Sequence, residues 1–446
     1  MSHTSRWRRI RCAAPAAAAA ILVAAGLAGC SDGGSSSGPS VNLWTWNANS
    51  PTQLWSQVED ALAKHGTKVN IAVRVINSTS YKSVLQTALN GGNAPDLFYA
   101  GAGQLTQTYA AAGQLASLNG IVDASSISPS ALELASYKGK LYGVPDSADT
   151  MTVLYNKDVL DKHHLSEPTT WDQWIGEMKT LKAAGVTPMY MMGVQQWMMS
   201  LQLDAISAST LPSSYITDVK DKKANYTDPA YVQALTAYQQ LAPYLEDDWQ
   251  AVGSADNEQQ TALALGKTAF IIDGSFDIAA IQKINPSIRI GQFLVPSPNG
   301  QQPKIDWYPD ANFAMNSTIT DKATEDAAEQ IIKFTATKEF GDIWNKVTGT
   351  VSPINGATMP STNPLAVQAA NWFSTVPISP LWGIRSAMDT PGPAGTSTSR
   401  KVSPTSKGIY QAQQSIVVPL MEGKLTPQEA AAQVQKAQSW YFAPAN

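Results

Sequence analysis

Apolar residues in the first part of the chain follow strand and helix periods in turn. Residues 69–75 alternate apolar and polar side chains, as a half-buried strand does. Trp55, Val58 and Leu62 recur at helical spacing and share one helix face. The elements predicted here are strands at 41–46, 69–75 and 96–99, and helices over 51–62 and 81–89. This β-α-β-α-β order predicts a parallel sheet with helices on both faces.

Two strand ends of this sheet carry candidate binding residues. Ligands of open α/β sheets bind beyond the carboxyl ends of the strands. Those ends are Trp46 with Asn47, and the 99–104 segment, which begins at Tyr99 and ends at Gln104. We therefore expect these residues to face a ligand.

The second half of the chain repeats the same alternation. Thr170 and Gln173 form a capping-box pattern that opens a helix ending at Gly185. The further elements predicted are helices at 229–244, 258–265 and 322–337 and strands at 268–272, 288–295 and 312–316. A fold with two α/β lobes fits this pattern.

The pattern of residues 138–158 predicts that the chain crosses here from one sheet to another. A short apolar run, 141–144, ends at Pro145, which cannot donate to a strand ladder. A polar stretch with Asp146 and Asp149 follows, and the chain resumes as a strand over 151–155. We interpret this as an exposed crossing between two lobes, where ligands are often bound. An ordinary loop within one domain is the alternative.

Two later segments resemble this crossing, at 306–310 and 344–353. Three crossings, at 145–150, 307–310 and 351–354, predict two lobes that are each discontinuous in sequence. The first lobe is expected at 41–147 and 311–353, and the second at 150–306 and 357–446.

The N-terminal residues predict export and anchoring. A head with four Arg precedes an apolar run over 13–27, which is too short to span a membrane and is typical of a signal peptide over 1–29. The run ends in Leu-Ala-Gly-Cys, which resembles a bacterial lipobox with Cys30 as the lipidated residue. Residues 30–40 are Ser/Gly-rich and are expected to be a flexible tether. The sequence thus predicts a cell-surface protein held on the outer face of the cytoplasmic membrane by lipid.

Composition narrows the possible chemistry. Cys12 and Cys30 are the two cysteines. Cys12 lies in the signal peptide and Cys30 is expected to carry the lipid, so the mature chain has no other thiol for catalysis, for a metal or for an internal disulfide. Removal of residues 1–29 takes away four of the 31 basic residues and none of the 35 acidic ones. The acidic mature chain argues against nucleic acid as a partner. The scattered histidines suggest neither a metal site nor a cofactor.

Short motifs add a family resemblance that covers essentially the whole mature chain. They lie at 92–96, 139–145, 155–158, 170–174, 266–270 and 273–276. In this order they resemble the family 1 extracellular solute-binding proteins, the sugar-binding lipoproteins of ABC importers. The resemblance implies a two-lobed, periplasmic-binding-protein-like α/β fold that closes over a sugar and delivers it to permease subunits on other chains. A monomer is expected.

A sugar site needs flat aromatic faces together with carboxylate or amide groups for hydroxyls. Four tryptophans flank predicted strand ends or crossings, namely Trp46, Trp197, Trp307 and Trp382. From the sequence, each of them could stack on a ligand or have a structural role. The helical Trp55, Trp171 and Trp174 are expected in the core.

The resemblance assigns roles to individual residues. It implies that Asp149 is the ligand carboxylate and that Trp197 and Phe276 stack on the sugar. Asp310 and Asn312 follow the second crossing and are further candidates.

Two other functions stay open from the sequence. An exported glycoside hydrolase could use Asp146 and Asp149 as a carboxylate pair, although no eightfold βα pattern is present. A receptor for a non-sugar solute is the second alternative. The identity, length and linkage of a sugar do not follow from the sequence.

Overall fold

The fold is seen in a computed structural model, which describes residues 38–47, 50–255, 257–379 and 407–442. The predicted signal peptide, Cys30 and Trp382 lie outside these residues. The described strands are β1 (Ser40–Thr45), β2 (Asn70–Val75), β3 (Leu97–Gly101), β4 (Ser136–Tyr137), β5 (Lys140–Leu141), β6 (Val144–Pro145), β7 (Met151–Asn156), β8 (Thr187–Met189), β9 (Thr268–Gly274), β10 (Ile290–Phe293) and β11 (Ala311–Met315).

Helices precede or follow most of these strands. The described α-helices are α1 (Pro51–Lys64), α2 (Ser78–Asn90), α3 (Gln104–Ala111), α4 (Pro129–Leu134), α5 (Lys157–Lys162), α6 (Trp171–Ala183), α7 (Gln196–Thr210), α8 (Tyr215–Lys220), α9 (Pro229–Gln239), α10 (Glu258–Ala264), α11 (Ile278–Ile284), α12 (Lys322–Thr335), α13 (Lys338–Thr348), α14 (Pro364–Thr375), α15 (Ile409–Met421), α16 (Pro427–Ala437) and α17 (Ser439–Phe442). Short 3₁₀ turns lie at Ala124–Ser126, Ala242–Tyr244, Trp249–Ala251 and Ser275–Asp277.

Lobe 1 is built on a five-stranded sheet with the order β2-β1-β3-β11-β6. β1 pairs in parallel with β2 and β3, which confirms the sheet predicted from the first half of the chain. β11 returns from the second half and pairs antiparallel with β3 and β6. The two strand ends predicted to face a ligand therefore lie side by side.

Lobe 2 is built on a four-stranded sheet with the order β10-β7-β9-β8. β7 pairs antiparallel with β9 and β10, whereas β8 and β9 are parallel. Every residue of β7 and β9 is buried, because elements cover both faces of this sheet. That burial explains why these strands are apolar without a strict alternation.

Each sheet has its own hydrophobic core. The lobe 1 core contains Trp55, and the lobe 2 core contains Trp171 and Trp174, so the prediction that these helical tryptophans are buried is confirmed. Trp307 packs into the lobe 1 core, whereas its neighbour Tyr308 packs into the lobe 2 core. The second crossing thus runs along the boundary between the cores.

The crossings are joined to one another by backbone hydrogen bonds. Ala148 N donates to Val351 O at 2.6 Å. Asp149 and Tyr308 exchange both of their backbone hydrogen bonds, at 2.8 and 3.0 Å. Residues of the first crossing are therefore buried, including Asp146, Asp149 and Thr150. The expectation of an exposed crossing was wrong, because two other segments cover it.

Two element boundaries also differ from the prediction. The helix expected to run through Tyr244 ends at Gln239, and a separate 3₁₀ turn follows at Ala242–Tyr244. The segment expected to cross at 344–348 is the end of α13, where Trp344 is buried in the lobe 1 core. Gly349, with φ of 74°, ends that helix, so the third crossing begins after it. The lobe boundaries proposed from the sequence stay a prediction.

Candidate functional site

A group of carboxylates lies where the first two crossings meet. The Ser147 hydroxyl lies 2.6 Å from Asp149 Oδ2 and 3.1 Å from Asp146 Oδ1. The Ala311 backbone N–H donates to Asp146 Oδ1 at 3.0 Å. Asp310, one residue earlier, donates its N–H to the Ser147 hydroxyl at 3.4 Å. Ser147 thus connects three aspartates.

Asp149 also connects the crossing to lobe 2. The Ser275 hydroxyl, just after β9, donates to Asp149 Oδ1 at 3.0 Å. The Asp149 residue is only 2% exposed. Burial raises the pKa of the Asp149 carboxyl to about 7, although the hydroxyls of Ser147 and Ser275 favour the charged form. Asp149 is therefore placed between the lobes as predicted, but it is covered in this conformation.

The other two aspartates differ in their access to solvent. Asp146 is buried, and burial together with the charge of Asp310 raises its pKa well above the usual range. Asp310 keeps an exposed surface. Desolvation by the surrounding protein atoms also raises the pKa of Asp310, and the exposure of this residue to solvent reduces that rise. Of the three, Asp310 is the one that an incoming ligand could contact directly.

An aromatic cluster lies beside Asp310 at the ends of β1 and β3. The Trp46 indole Nε1 donates to Asp310 Oδ2 at 2.6 Å. The Trp46 ring is half-buried and meets Tyr81 edge-on at 4.8 Å and Tyr99 edge-on at 5.2 Å between ring centroids. Tyr99 is buried and makes side-chain hydrogen bonds with Thr45 and Asn47. These contacts hold Trp46 in one orientation.

Tyr81 fixes this cluster through its hydroxyl. The hydroxyl donates to Trp44 O and accepts from Tyr99 N, both at 3.0 Å. The sequence predicted a helix over 81–89 but not this contact. Its signal was weak, because a tyrosine on an apolar helix face is common in cores.

A cleft of about 670 Å³ is lined by residues from both lobes. Its lining in lobe 1 comes from the first turn of α2, and its lining in lobe 2 comes from the start of α7, the 253–255 loop and α15. The residues are Asn77, Thr79, Ser80, Val194, Gln195, Gln196, Trp197, Gly253, Ser254, Ala255 and Gln414. Trp197 is half-buried there, and its Nε1 donates to Gln195 Oε1 at 3.0 Å. Gln195 in turn donates to Gly253 O at 3.0 Å.

The remaining predicted site residues lie apart from this lining. Asn312 is buried, and its Nδ2 donates to Thr106 Oγ1 and Leu134 O inside lobe 1. Trp307 is buried in the lobe 1 core. Phe276 is half-buried on the lobe 2 core, next to Ser275. Gln104 is the first residue of α3.

Serines and amides were the residues that sequence reasoning missed. Ser147 and Ser275 hold Asp149, while Gln195 positions Trp197. Each is a common polar residue without a motif, so only its place in the fold identifies it. Within the described ranges, no three His, Cys, Asp or Glu side chains form a group that could hold a metal ion.

Relatives of this chain include curated sugar-binding proteins. The multiple sugar-binding protein of Streptococcus mutans is 23% identical over 232 residues, covering 51% of this chain and 55% of the relative. The melibiose/raffinose/stachyose-binding protein MelE of Bacillus subtilis is 20% identical over 263 residues, covering 57% and 60%. The chain thus spans little more than half the length of these relatives.

Solved structures show the same fold over nearly the whole length of each protein. A chitin oligosaccharide binding protein has a TM-score of 0.72 at 20% identity, with 90% of this chain and 98% of the other covered. RafE in complex with raffinose has a TM-score of 0.69 at 18% identity, with 91% and 100% covered. Both likenesses confirm the predicted fold.

The family model for bacterial extracellular solute-binding proteins matches residues 47–341. This segment is well over half of the chain and contains all strands of both sheets except β1. It also contains the first two crossings and both walls of the cleft apart from Gln414. The chain belongs to the family of bacterial extracellular solute-binding proteins.

Proposed function

We propose that this solute-binding protein captures a sugar or an oligosaccharide between its lobes and delivers it to ABC permease subunits on other chains. The observation that carries the proposal is the cleft of about 670 Å³, to which both lobes contribute. Its volume is within the range of about 300–1,000 Å³ that ligand sites occupy. Amides and hydroxyls in the lining match sugar hydroxyls, and the Trp197 ring offers a flat apolar face.

The names of related proteins support a sugar over another solute. The relatives of Streptococcus mutans and Bacillus subtilis are named for binding multiple sugars and for binding melibiose, raffinose and stachyose. A maltotriose-binding protein of Pyrococcus abyssi is 22% identical over 274 residues. Because these relatives are distant, they support the class of ligand and do not select one member of it.

Within the site, Trp197 and the pair of Trp46 and Asp310 are the groups with the best access to a ligand. Trp197 lies in the cleft lining, and Asp310 is exposed beside the half-buried Trp46. Asp149 and Phe276 lie outside the lining, and we propose that Asp149 holds the sugar from one side while Phe276 packs against it as the lobes close. A ligand can close the lobes only if it binds the closed form better than the open one.

Anchoring by lipid at Cys30 is part of the proposal. A family of extracellular solute-binding proteins works outside the cytoplasm, and a lipid would keep this member near its permease. In the part of the chain that the structure describes, no helix has the length and apolar character of a membrane span.

A hydrolase is the alternative that the carboxylates could suggest. Asp146 and Asp149 are buried and are already engaged by Ser147, and Asp146 also accepts from the backbone of Ala311. A glycosidase needs two carboxyl groups that flank a bound glycosidic bond. The arrangement therefore favours a structural and binding role for both aspartates.

The test is a thermal-shift screen of the mature chain, residues 30–446, against neutral mono- and oligosaccharides. A ligand at 100 times its dissociation constant adds about 2.7 kcal/mol to the free energy of unfolding, which raises the melting temperature. We expect at least one sugar to do so. Stabilisation by peptides or polyamines in the same screen, with no response to any sugar, would show a non-sugar receptor.

A further inference from the structure

The cleft between the lobes is lined by described residues that carry no charged side chain. Five of these side chains are amides or hydroxyls near the first turns of α2 and α7: Asn77, Thr79, Ser80, Gln195 and Gln196. Ser254 and Gln414 add one more hydroxyl and one more amide. Each of these groups can both donate and accept a hydrogen bond, as a sugar hydroxyl can.

Two acidic groups of the described residues, Glu258 and Asp310, are already engaged in hydrogen bonds. The Glu258 carboxylate accepts from the backbone N–H of Gly253 and from that of Ala255, the latter at 3.2 Å, and so holds the loop that lines the cleft. Asp310 accepts from the Trp46 indole. Neither residue belongs to the described lining. Among the lining residues that the structure describes, a negative ligand would find no cationic side chain.

The N-termini of two helices at this surface would favour an anion. α2 and α7 both begin at this surface, and a helix N-terminus attracts negative charge. That attraction strengthens binding by about fivefold at an exposed helix terminus and by at most about thirtyfold at a partly buried one. In α2 the Asn77 side chain already accepts from the Thr79 N–H. A desolvated carboxylate without a cation loses on the order of a hundredfold or more, so the loss dominates.

We infer that the cleft selects uncharged sugars and rejects sugars that carry a carboxylate. This inference rests on the proposed function and narrows its class of ligand. The amides and hydroxyls of both lobes pair with neutral hydroxyls, while an acidic sugar must give up its hydration without gaining a partner. Gln414 of α15 is the lining position where a single cation would change this selectivity.

The experiment measures calorimetric affinities of the mature chain for matched neutral and acidic oligosaccharides at pH 7. The pairs are galacto-oligosaccharides with oligogalacturonides, and xylo-oligosaccharides with their glucuronic-acid-substituted forms. We expect binding of a neutral member, with its acidic partner at least a hundredfold weaker. Gln414→Lys should strengthen binding of the acidic partner at least tenfold. Gln411→Lys is the matched control. It adds the same charge on the same helix, at a position that is exposed and lies outside the lining.

The possible outcomes separate this inference from the proposed function. An acidic sugar that binds the parent chain as tightly as its neutral partner, or alone, overturns the inference and leaves the sugar receptor standing. An equal gain in Gln414→Lys and Gln411→Lys also overturns it, because the lining would then not be the selective surface. If no sugar of either kind binds, the proposed function fails and the inference fails with it.

Discussion

The burial of Asp149 places its carboxyl between the lobes and also destabilises the charged form of that carboxyl. Its carboxyl is buried at the boundary between the lobes, where hydroxyls of Ser147 and Ser275 hold it from either side. A buried carboxylate without a cation is more stable in its protonated form. The same burial that positions Asp149 between the lobes therefore makes the protein sensitive to pH.

The free energy of unfolding should fall as pH rises from about 4 to about 7. The folded chain keeps a proton on Asp149 up to about pH 7, whereas the unfolded chain releases it near the ordinary value of 3.8. The raised pKa of Asp146 acts in the same direction. For Asp149 alone the loss amounts to at most roughly 4 kcal/mol. Urea denaturation at a series of pH values measures it.

Asp149→Asn should flatten this pH profile and stabilise the chain at pH 8 relative to the parent. Asp60→Asn makes the same change of charge at an exposed position on α1 and should leave the profile unchanged. A profile for Asp149→Asn as steep as the parent's would mean that another group carries the pH dependence.

Trp197→Ala should weaken binding of the best sugar from the screen more than Phe276→Leu does. Trp197 lines the cleft, and its removal takes away a whole aromatic face, whereas Leu at position 276 keeps most of the apolar contact. We expect a loss of about 2 kcal/mol or more for Trp197→Ala. Calorimetric titration measures the affinity of both variants for that sugar. Trp372→Ala, on α14 and outside the cleft lining, is the control and should bind like the parent.

At the scale of elements, the pairing of β10 with β7 depends on a glycine. Gly291 lies opposite Tyr155, and a Cβ at position 291 would stand 2.1 Å from the Tyr155 ring. That ring is buried, and its hydroxyl donates to Glu167 at 2.7 Å. The strand pair therefore has no room for a methyl group.

Gly291→Ala should lower the free energy of unfolding by about 1–3 kcal/mol, because the tyrosine ring must leave its packed position. Gly176→Ala is the matched control, since a Cβ there meets nothing within 4 Å and Gly176 lies inside α6. The control should be neutral or stabilising by up to about 1 kcal/mol. Equal effects of both substitutions in urea denaturation would contradict the packing argument.

Most strands and helices could be predicted from the sequence, because local periodicity and caps determine them. Thr170 accepts from the Gln173 N–H, as its position indicated. The burial of 146–150 could not be predicted, since it depends on segments about 160 and 200 residues later that cover it. Trp46, Trp197 and Asp310 were candidates from the sequence, whereas the amides and hydroxyls that line the cleft carry no motif and are known only from their place in the fold.

At the scale of the whole molecule, we propose that export and lipid anchoring place this protein on the outer face of the membrane. Cys30→Ser should release the chain from the membrane or leave its signal peptide uncleaved, because the lipid would have no thiol to join. Membrane fractionation with a fatty-acid probe measures both effects. Membrane retention and labelling equal to the parent's would contradict lipidation at this residue.

Hydrogen-bonded crossings join the two lobes. The proposed capture of a ligand therefore involves both lobes. Trp307 packs on one core and Tyr308 on the other, while Asp149 bonds to Ser275 across the boundary. A sugar held from both sides would stabilise both lobes at once. A hydrolase would instead change the sugar that it holds.

The most direct measurement incubates the mature chain with labelled neutral oligosaccharides, separates the protein by gel filtration and identifies the sugar that elutes with it. We expect an intact oligosaccharide to elute with the parent chain and much less of it to elute with Trp197→Ala. Shortened products would contradict a receptor, and absence of any labelled sugar in the protein fraction would contradict sugar binding itself.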